Sequence, residues 1–545
     1  MSNPKDEQSS GLLRRQALRR ALALASAPVA ALTLLPGCMN RASAAGRLPN
    51  PASDENRAEI QPASLWGDPH KLPTLGQMGH SAGDAVEATL VQNEYTIITG
   101  GQFRISRDTT LTGILHFMGG GLSVDDGVTL TVKGQIIAPA SQIFFGEGLV
   151  EGPCRGTDVR PEWFGAVGNG YEDDAHNDTD AIRKAVLFTR GGVLRLSGMY
   201  SLDPEVILFT HLNNGIHVVG DSGAGAKAQG NEKEDQLYHT NPTGFCLRKD
   251  GDWMIGFGDM ETPRSSINDS IWEGVVFEGN GKTVHLGLLW CHLLRTSKFE
   301  SCSVKSVRGA GLFVHKFEDV TWSSCQFTYL GVPKEGNKFG LHGGIIFGAP
   351  PKRGRIGTNV VYFLDHCRFE WMDGGYVNAL REPVENPDYR YNDKAIPSAK
   401  HIHIVDSKME IGAINGWGKS RGDYPVFDLA AFENRNVGRD DPPEDHHPAE
   451  NWNIGPGNHL NDPHHAKWFM TLGGMDNVAI HGNSFSVYGK CDFVQFASSE
   501  VENFWCTDNG TRCKSDPEKV RFVNDFSKGA YVHYFEEIRK SMKKT

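Results

Sequence analysis

One short pattern of apolar and small positions recurs along the middle of the chain. A large apolar residue is followed three places later by a small residue and five places later by a second apolar one. It reads Trp272-Val275-Phe277, Phe299-Cys302-Val304 and Trp322-Cys325-Phe327, then Leu364-Cys367-Phe369, Ile404-Ser407-Met409 and Ile480-Asn483-Phe485. A glycine-led apolar strand follows the early copies: Gly287-Leu288-Leu289-Trp290, Gly311-Leu312-Phe313-Val314 and Gly344-Ile345-Ile346-Phe347. Gly375-Tyr376-Val377, Pro425-Val426-Phe427 and Asp492-Phe493-Val494 are looser copies. Short strands repeating about every 23 residues, the Cys302 to Cys325 spacing, predict an all-β parallel solenoid, because one coil cannot bury its apolar face alone. Equivalent residues then stack in columns about 4.8 Å apart. Cys302, Cys325 and Cys367 share a column with Ser407 and Asn483, so they read as a ladder of small residues rather than as disulfides. Alternating strands and helices are excluded, since each crossover unit needs about 30 residues or more. The longer gaps after Cys367 and Ser407 are read as loop insertions or poorly matching coils.

Upstream, Tyr95 to Val150 alternates apolar and turn residues, as in Leu115-Phe117 and Leu130-Val132. Residues 70–160 are therefore expected to form an N-terminal β-layer or first, irregular coils, and 161–530 the solenoid with its insertions. Residues 179–189 form an amphipathic pattern, with Ile182, Ala185, Val186 and Thr189 on one face, ended by Gly191-Gly192. Such a helix suits the open edge of a first coil, which would otherwise invite aggregation. Tyr531 to Met542 reads as a final helix within 531–545.

Composition narrows the class. The 545 residues include 63 glycines without a collagen-like period, and 28 Phe, 13 Tyr and 11 Trp that can fill a core, which excludes disorder. A formal charge of −11 argues against a nucleic-acid partner. Arg14-Arg15 precede an apolar stretch from Ala21 to Leu35, the order of an export signal spanning 1–44, and the paired arginines resemble a twin-arginine signal. Leu35-Pro36-Gly37-Cys38 resembles a lipobox that would acylate Cys38 and anchor the protein in a membrane. Ala42-Ser43-Ala44 is the alternative cleavage site that would release it. Residues 1–44 hold six basic and two acidic side chains, so the remainder carries −15. Residues 45–69 read as a linker. Export implies an oxidising compartment, and of ten cysteines the best disulfide pair is Cys506 and Cys513, flanking a hairpin-like turn.

Pro161-Glu162-Trp163-Phe164-Gly165-Ala166-Val167-Gly168-Asn169-Gly170 leads to Asp178-Thr179-Asp180-Ala181-Ile182, then Gly191-Gly192-Val193 and Gly198-Met199-Tyr200. This resembles the opening segment of the pectate-lyase-like right-handed β-helix superfamily, which includes polygalacturonases and phage tailspikes. Asn169, Asn177 and Ser197 depart from the family pattern, as does an inserted Tyr171–His176. The resemblance implies a right-handed single-stranded parallel β-helix with a short N-terminal capping helix. It leaves function open, because the superfamily hosts hydrolases, lyases, epimerases and non-catalytic fibres.

In polygalacturonase-like members the acids sit just before the second kind of strand. The matching positions here are His285, Gly309, His342, Asp373, Asp423 and Lys490. On adjacent coils Asp373 and Asp423 would lie about 5 Å apart, which suits two-carboxylate glycosidic cleavage, with His342 orienting or relaying a proton. A second row, Lys305, Thr328, Glu370 and Glu410, has Arg368 and Lys408 two residues earlier on the same outward face. These read either as charges that offset one another or as a groove wall binding sugar hydroxyls or carboxylates. His285 and Lys490 join the substrate-binding candidates. Asp462-Pro463-His464-His465 resembles the D-P-H motif of C5-epimerases, with His465 breaking its last position. Loop tryptophans Trp417 and Trp452 suit either sugar stacking or a core role.

The expectation is an exported enzyme cleaving a polysaccharide, by hydrolysis through Asp373, Asp423 and His342 without a metal or other cofactor. A lyase acting by β-elimination, which would admit calcium, is the first alternative. A non-catalytic glycan-binding or surface solenoid is the second, and an epimerase the third. The resemblance also raises a homotrimer, a common assembly in the superfamily.

Overall fold

The structure, a computed structural model, describes residues 72, 74–152, 157–172, 174–221, 242–258, 266–331, 343–348, 359–372, 375–379, 399–410, 427–429, 449–462, 468–472, 475–487, 491–496, 502–507, 510–513 and 520–521. The expected export signal, Cys38, the linker and the final helix lie outside these residues.

The body is a right-handed parallel β-helix. Each coil contributes one strand to each of three parallel sheets of twelve, ten and ten strands. The recurring pattern forms the interior columns. Trp272 pairs with Phe299, then Trp322, Leu364, Ile404, Ile454 and Ile480 in the first sheet. Phe277 pairs with Val304, Phe327, Phe369, Met409, Leu460 and Phe485 in the second. Stacking at one strand spacing puts large rings face to face: Phe299 and Trp322 lie 3.9 Å apart and 4° from parallel, and Phe327 and Phe369 4.7 Å apart. Aromatic burial of this size dominates core energetics.

Two details correct the sequence reading. The 76-residue gap between Ser407 and Asn483 contains a complete coil, Ile454-Asn458-Leu460. It carries one extra residue at its turn, around Gly455-Pro456-Gly457, which hides it from a fixed three-then-five spacing. The third-sheet strands pair Leu289 with Leu312, and Ile345 with Val377. Aligning the chain on Gly287, Gly311, Gly344 and Gly375 therefore slips by one residue at the first and last steps. Such a slip exchanges the two faces of a strand, and the inward apolar residues set the true register.

The small-residue ladder lies at the turn between the first and second sheets. Ser301, Ser324, His366 and Asp406 there adopt left-handed φ of 52°, 55°, 52° and 47°, and the small residue that follows each turns inward. The Cys302 amide donates to Cys325 Sγ (3.3 Å), the Cys367 amide to Ser407 Oγ (3.0 Å) and the Ser407 amide to Asn458 Oδ1 (2.8 Å). Asn458 and Asn483 donate from Nδ2 to Ile404 O and Ile454 O, at 2.7 and 2.8 Å. The ladder thus satisfies turn amides that the coil would otherwise bury unpaired. Cys506 and Cys513 fall on Glu502–Thr507 and Gly510–Cys513, consecutive strands of different sheets and not the arms of a hairpin. Their side chains lie outside the described residues.

A separate set of short coils precedes the body: three three-stranded parallel sheets built from Tyr95 to Glu151. The helix Thr179–Thr189 buries Ala181, Ile182, Ala185, Val186, Phe188 and Thr189 and packs on the first strands of the body. Phe144 of the short coils meets Phe164 and Phe188 at 5.4 and 5.8 Å, and Trp163 Nε1 donates to Pro139 O at 3.0 Å. The fully buried Asp178 carboxylate accepts from the amides of Val167 (2.7 Å), Gly168 (3.2 Å) and Ser201 (3.2 Å), and meets His176 Nδ1 at 2.8 Å. Glu162 accepts from Tyr200 Oη (2.8 Å) and from the Ser197 hydroxyl. The residues that carry the family resemblance are thus a structural brace at the joint between the two sets of coils.

Cys246, Cys291, Cys302, Cys325 and Cys367 are free and buried. Burial pushes the Cys246 thiol up to about 12 and holds Cys325 well above the usual range, suppressing the reactive thiolate. These five should resist a thiol-specific reagent in the native protein and react once it is denatured. Labelling of the folded protein at the denatured rate, located by peptide mass mapping, would show the ladder to be open.

Candidate functional site: the outward face of the second sheet

Side chains alternate along each strand of the second sheet. With Phe277, Val304, Phe327 and Phe369 turned inward, their neighbours face out. Strand pairing places Cys246, Glu278, Lys305, Thr328 and Glu370 in one outward row, and the backbones of Glu410 and Asn461 continue the pairing. Ser303, Gln326, Arg368, Lys408 and His459 form a second row two residues earlier. The outside of a solenoid ordinarily meets water, yet Glu278, Lys305, Thr328 and Glu370 are 5%, 0%, 5% and 6% exposed. They form a sunken polar floor on four successive coils.

Its charges are tied together. Lys305 Nζ lies 3.4 Å from Glu278 Oε2, both side chains almost fully buried. Glu278 Oε1 also accepts from the Asn280 amide at 3.0 Å. Burial pushes the Glu278 carboxyl up, against the opposing pull of Lys305 and the Ser306 hydroxyl. One coil beyond Thr328, Glu370 Oε1 takes Lys408 Nζ at 3.4 Å and Arg368 Nε. Arg368 is half-exposed, at 49% for its side chain, so the floor opens towards this end. At the other end Cys246 Sγ lies 3.2 Å from the Gly170 carbonyl. Burial, then the charge of Glu278, raises the phenol of Tyr171 far above its usual range, although 39% of the residue is exposed. Tyr171 belongs to the inserted Tyr171–His176 stretch, so a departure from the family pattern supplies the phenol beside the floor.

Arg368, Glu370 and Lys408 are thus brought together as the sequence suggested, and Glu410 follows Glu370 in the row, its side chain outside the described residues. Asp373, Asp423, His342 and Lys490 also lie outside them. The strands after the two aspartates, Val377–Ala379 and Phe427–Leu429, pair directly through Val377 and Phe427. His285 lies in a three-residue excursion: the amides on either side, of Val284 and Leu288, bond Arg308 O and Ala310 O at 2.9 Å each, while His285 bonds back to Gly251 O at 3.0 Å. Val284, not His285, stands against Gly309.

Sequence reasoning passed over Glu278, although it follows Phe277 just as Lys305 follows Val304. It also passed over an apolar cluster on the outward face of the third sheet. Trp290, Phe313, Ile346, Leu286 and Ala310 meet there, with Trp253 5.4 Å from Trp290. Beside it the rings of His292 and His315 stack at 5.0 Å with their Nδ1 atoms 3.0 Å apart, and burial holds His315 well below its usual range. Trp452 is a core residue, 1% exposed, and Trp417 lies outside the described residues. Of the epimerase-like motif, Asp462 is the last residue of strand His459–Asp462, and Pro463-His464-His465 lie outside. Among the described residues one group has metal-ligand geometry: Asp365, His366 and Asp406, with ligand atoms within 4.8 Å of one another. It sits on exposed turns, and the 2.6 Å hydrogen bond between Asp365 and His366 accounts for their approach without an ion.

No family model and no curated protein matches the chain. Solved structures match loosely. The tailspike protein of E. coli bacteriophage HK620, in complex with a pentasaccharide, is 13% identical with a TM-score of 0.33, covering 76% of this chain and 60% of its own. A PL6 alginate lyase bound to a trisaccharide is 9% identical with a TM-score of 0.26 and coverages of 83% and 92%. A Streptococcus pneumoniae surface protein and adhesin is 8% identical, also at 0.26, with coverages of 83% and 99%. The chain spans about 60% of the length of the tailspike it matches. These likenesses assign no function.

Replacing Lys305 by Met should destabilise the protein by about 3–5 kcal/mol at neutral pH, because Glu278 must then either bury its charge without a counter-ion or take up a proton. The double change with Glu278→Gln should recover most of the loss. A carboxyl raised in the folded state stabilises the fold when protonated. Its contribution is full below the ordinary value of 4.5 and is lost as pH rises through the folded value. Lys305→Met removes the opposing attraction, so its stability should improve more than that of the parent as pH falls towards 4.5. Denaturant midpoints across that range check both statements, and a neutral Lys305→Met would show the pair to be solvated.

Proposed function

We propose that this protein is an exported carbohydrate-active enzyme that hydrolyses glycosidic bonds of a polysaccharide, with Asp373 and Asp423 as its paired carboxylates. The pairing of Val377 with Phe427 carries the reading. It makes the coils after the two aspartates immediate neighbours, with no coil between, and each aspartate stands four residues before the paired position. Adjacent parallel strands run about 4.8 Å apart. Carboxyl groups about 5–5.5 Å apart are those of retaining glycosidases, one attacking the anomeric carbon while the other protonates the leaving oxygen. Two close carboxyls also separate in pKa, so that one keeps the proton an acid needs.

The charged floor supports this assignment. Glu370 and Arg368 precede Asp373 by three and five residues, so the outward rows run into the chain segment that carries the first of the proposed carboxylates. Fixed carboxylates and a half-exposed guanidinium suit hydroxyl groups repeated along a chain of sugars. Glu410 and Lys490 would extend the contacts, and His342 would orient the acid. Two-carboxylate hydrolysis requires no metal. The segment before residue 45 would deliver the enzyme outside the cytoplasm, where polysaccharides are met, either anchored through Cys38 or released.

Asp373→Asn and Asp423→Asn should each lower the rate of reducing-end release by at least about 10²-fold, the scale of a lost general acid or base, with unchanged circular dichroism. Full activity in both variants would remove the two aspartates from the mechanism. Loss of folding in one leaves the other, and the Asp→Glu change at the same position, to decide.

A further inference from the structure

Beside the apolar cluster of the third sheet stands a pair of histidines that glycan cleavage does not use. Cys291 pairs with Val314, so the residues after them, His292 and His315, stand side by side on neighbouring coils. Their rings lie 5.0 Å apart and 20° from parallel, with the two Nδ1 atoms in hydrogen-bond contact at 3.0 Å. His292 is half-buried, and its ring lies 5.5 Å from that of Trp290. His315 is 4% exposed. The backbone fixes the pair: the His315 amide donates to Cys291 O at 2.9 Å, and the Gly348 amide to Val314 O at 3.0 Å.

Two ring nitrogens in contact share one hydrogen. One Nδ1 donates and the other accepts, so the neutral pair contains one ring of each tautomer. We propose that His292 and His315 form a one-proton latch on the outward face of the third sheet, closed at neutral pH and opened in acid. A first added proton enters at an Nε2 atom and leaves the shared hydrogen in place. A second sets two N–H groups and two positive charges against each other, and the contact must open to admit it.

The surroundings oppose that second proton. Phe257 pairs with Cys291, and Val314 with Phe347, so Gly258 and Gly348 follow at the same register position on the coils before and after. Neither glycine brings a titratable side chain to the pair. The charges acting on His315 are those of His292 and Lys316, and Lys316 in turn meets Arg295 and Glu318, which pair at 3.0 Å. Burial, then His292 and Lys316, hold His315 well below its ordinary value of 6.5. A depressed histidine costs stability in acid. In the unfolded chain both rings take a proton as pH falls through 6.5, whereas the closed pair takes at most one. Each pH unit below that value therefore shifts the equilibrium about tenfold away from the closed form.

The test uses the full chain with nitrogen-15 in its histidines. Imidazole nitrogen shifts report the tautomer and charge of each ring, with His292→Asn and His315→Asn assigning the signals. The latch expects one Nδ1–H ring and one Nε2–H ring at about pH 7.5, and a neutral His315 at about pH 5.5. Denaturant midpoints then compare the parent with His315→Asn over the same range. Relative to that variant, the parent should lose about tenfold in its folding equilibrium constant for each pH unit below 6.5. The fluorescence difference between the parent and Trp290→Phe should change reversibly with it, and the same difference should stay flat when both proteins carry His315→Asn.

Two rings of the same tautomer at neutral pH would overturn the latch. So would a His315 that titrates near 6.5 in the folded protein, or a parent and a His315→Asn variant that lose stability in parallel. If His315→Asn does not fold, the ring shifts of the parent, assigned through His292→Asn, decide.

Discussion

Everything in this protein depends on the hydrogen bonding of each coil to the next. A parallel ladder fixes neighbouring strands about 4.8 Å apart and in register. Whatever occupies one position therefore meets its equivalent one coil above and one below. Inside, this makes stacks of Phe, Trp and Leu that bury one another, and a turn ladder of Cys, Ser and Asn that feeds hydrogen bonds to amides of the adjacent coil. Outside, the same rule is a restriction. A charge repeated down a column repels itself; Glu278 therefore meets Lys305 and Glu370 meets Thr328 on the neighbouring coils, while Arg368 and Lys408, like charges on adjacent coils, share Glu370.

That pairing is what allows the charges of the floor to be buried. The third sheet differs: its outward Trp290, Phe313 and Ile346 pack under Trp253, so burial there is apolar. One solenoid thus presents two faces of unlike chemistry.

The interior was legible in the sequence because its periodicity answers to packing, which tolerates little variation. The apolar and small positions marked all but one of the coils from Trp272 to Phe485. The coil missed, Ile454-Asn458-Leu460, keeps its inward residues and differs by one turn residue, a change that costs the fold little and a fixed template everything. Glycines misled for the opposite reason. Gly287 and Gly375 sit at corners where length varies, so they do not report register, and His285 left its supposed row through the same freedom. Glu278 was legible but unread: its place after Phe277 matches that of Lys305 after Val304, and only the burial of the pair shows that the match matters. The aspartates stood out as residues, but the register of the strands after them, Val377 with Phe427, is one that sequence spacing alone could not supply across an insertion of this length.

The segment that resembles a known superfamily is engaged in holding the fold together. Trp163 and Phe164 pack at the joint of the two sets of coils, Asp178 gathers three backbone amides, and Glu162 holds Tyr200 and Ser197. A solenoid must begin somewhere, and its first strand edge must be covered whatever the later coils do. This requirement is common to hydrolases, lyases and fibres built on the same plan, so a shared opening segment speaks for the fold and stays silent on the reaction. What distinguishes one coil from the next lies elsewhere: in the outward rows, the corner insertions, and the inserted stretch that sets Tyr171 beside Glu278.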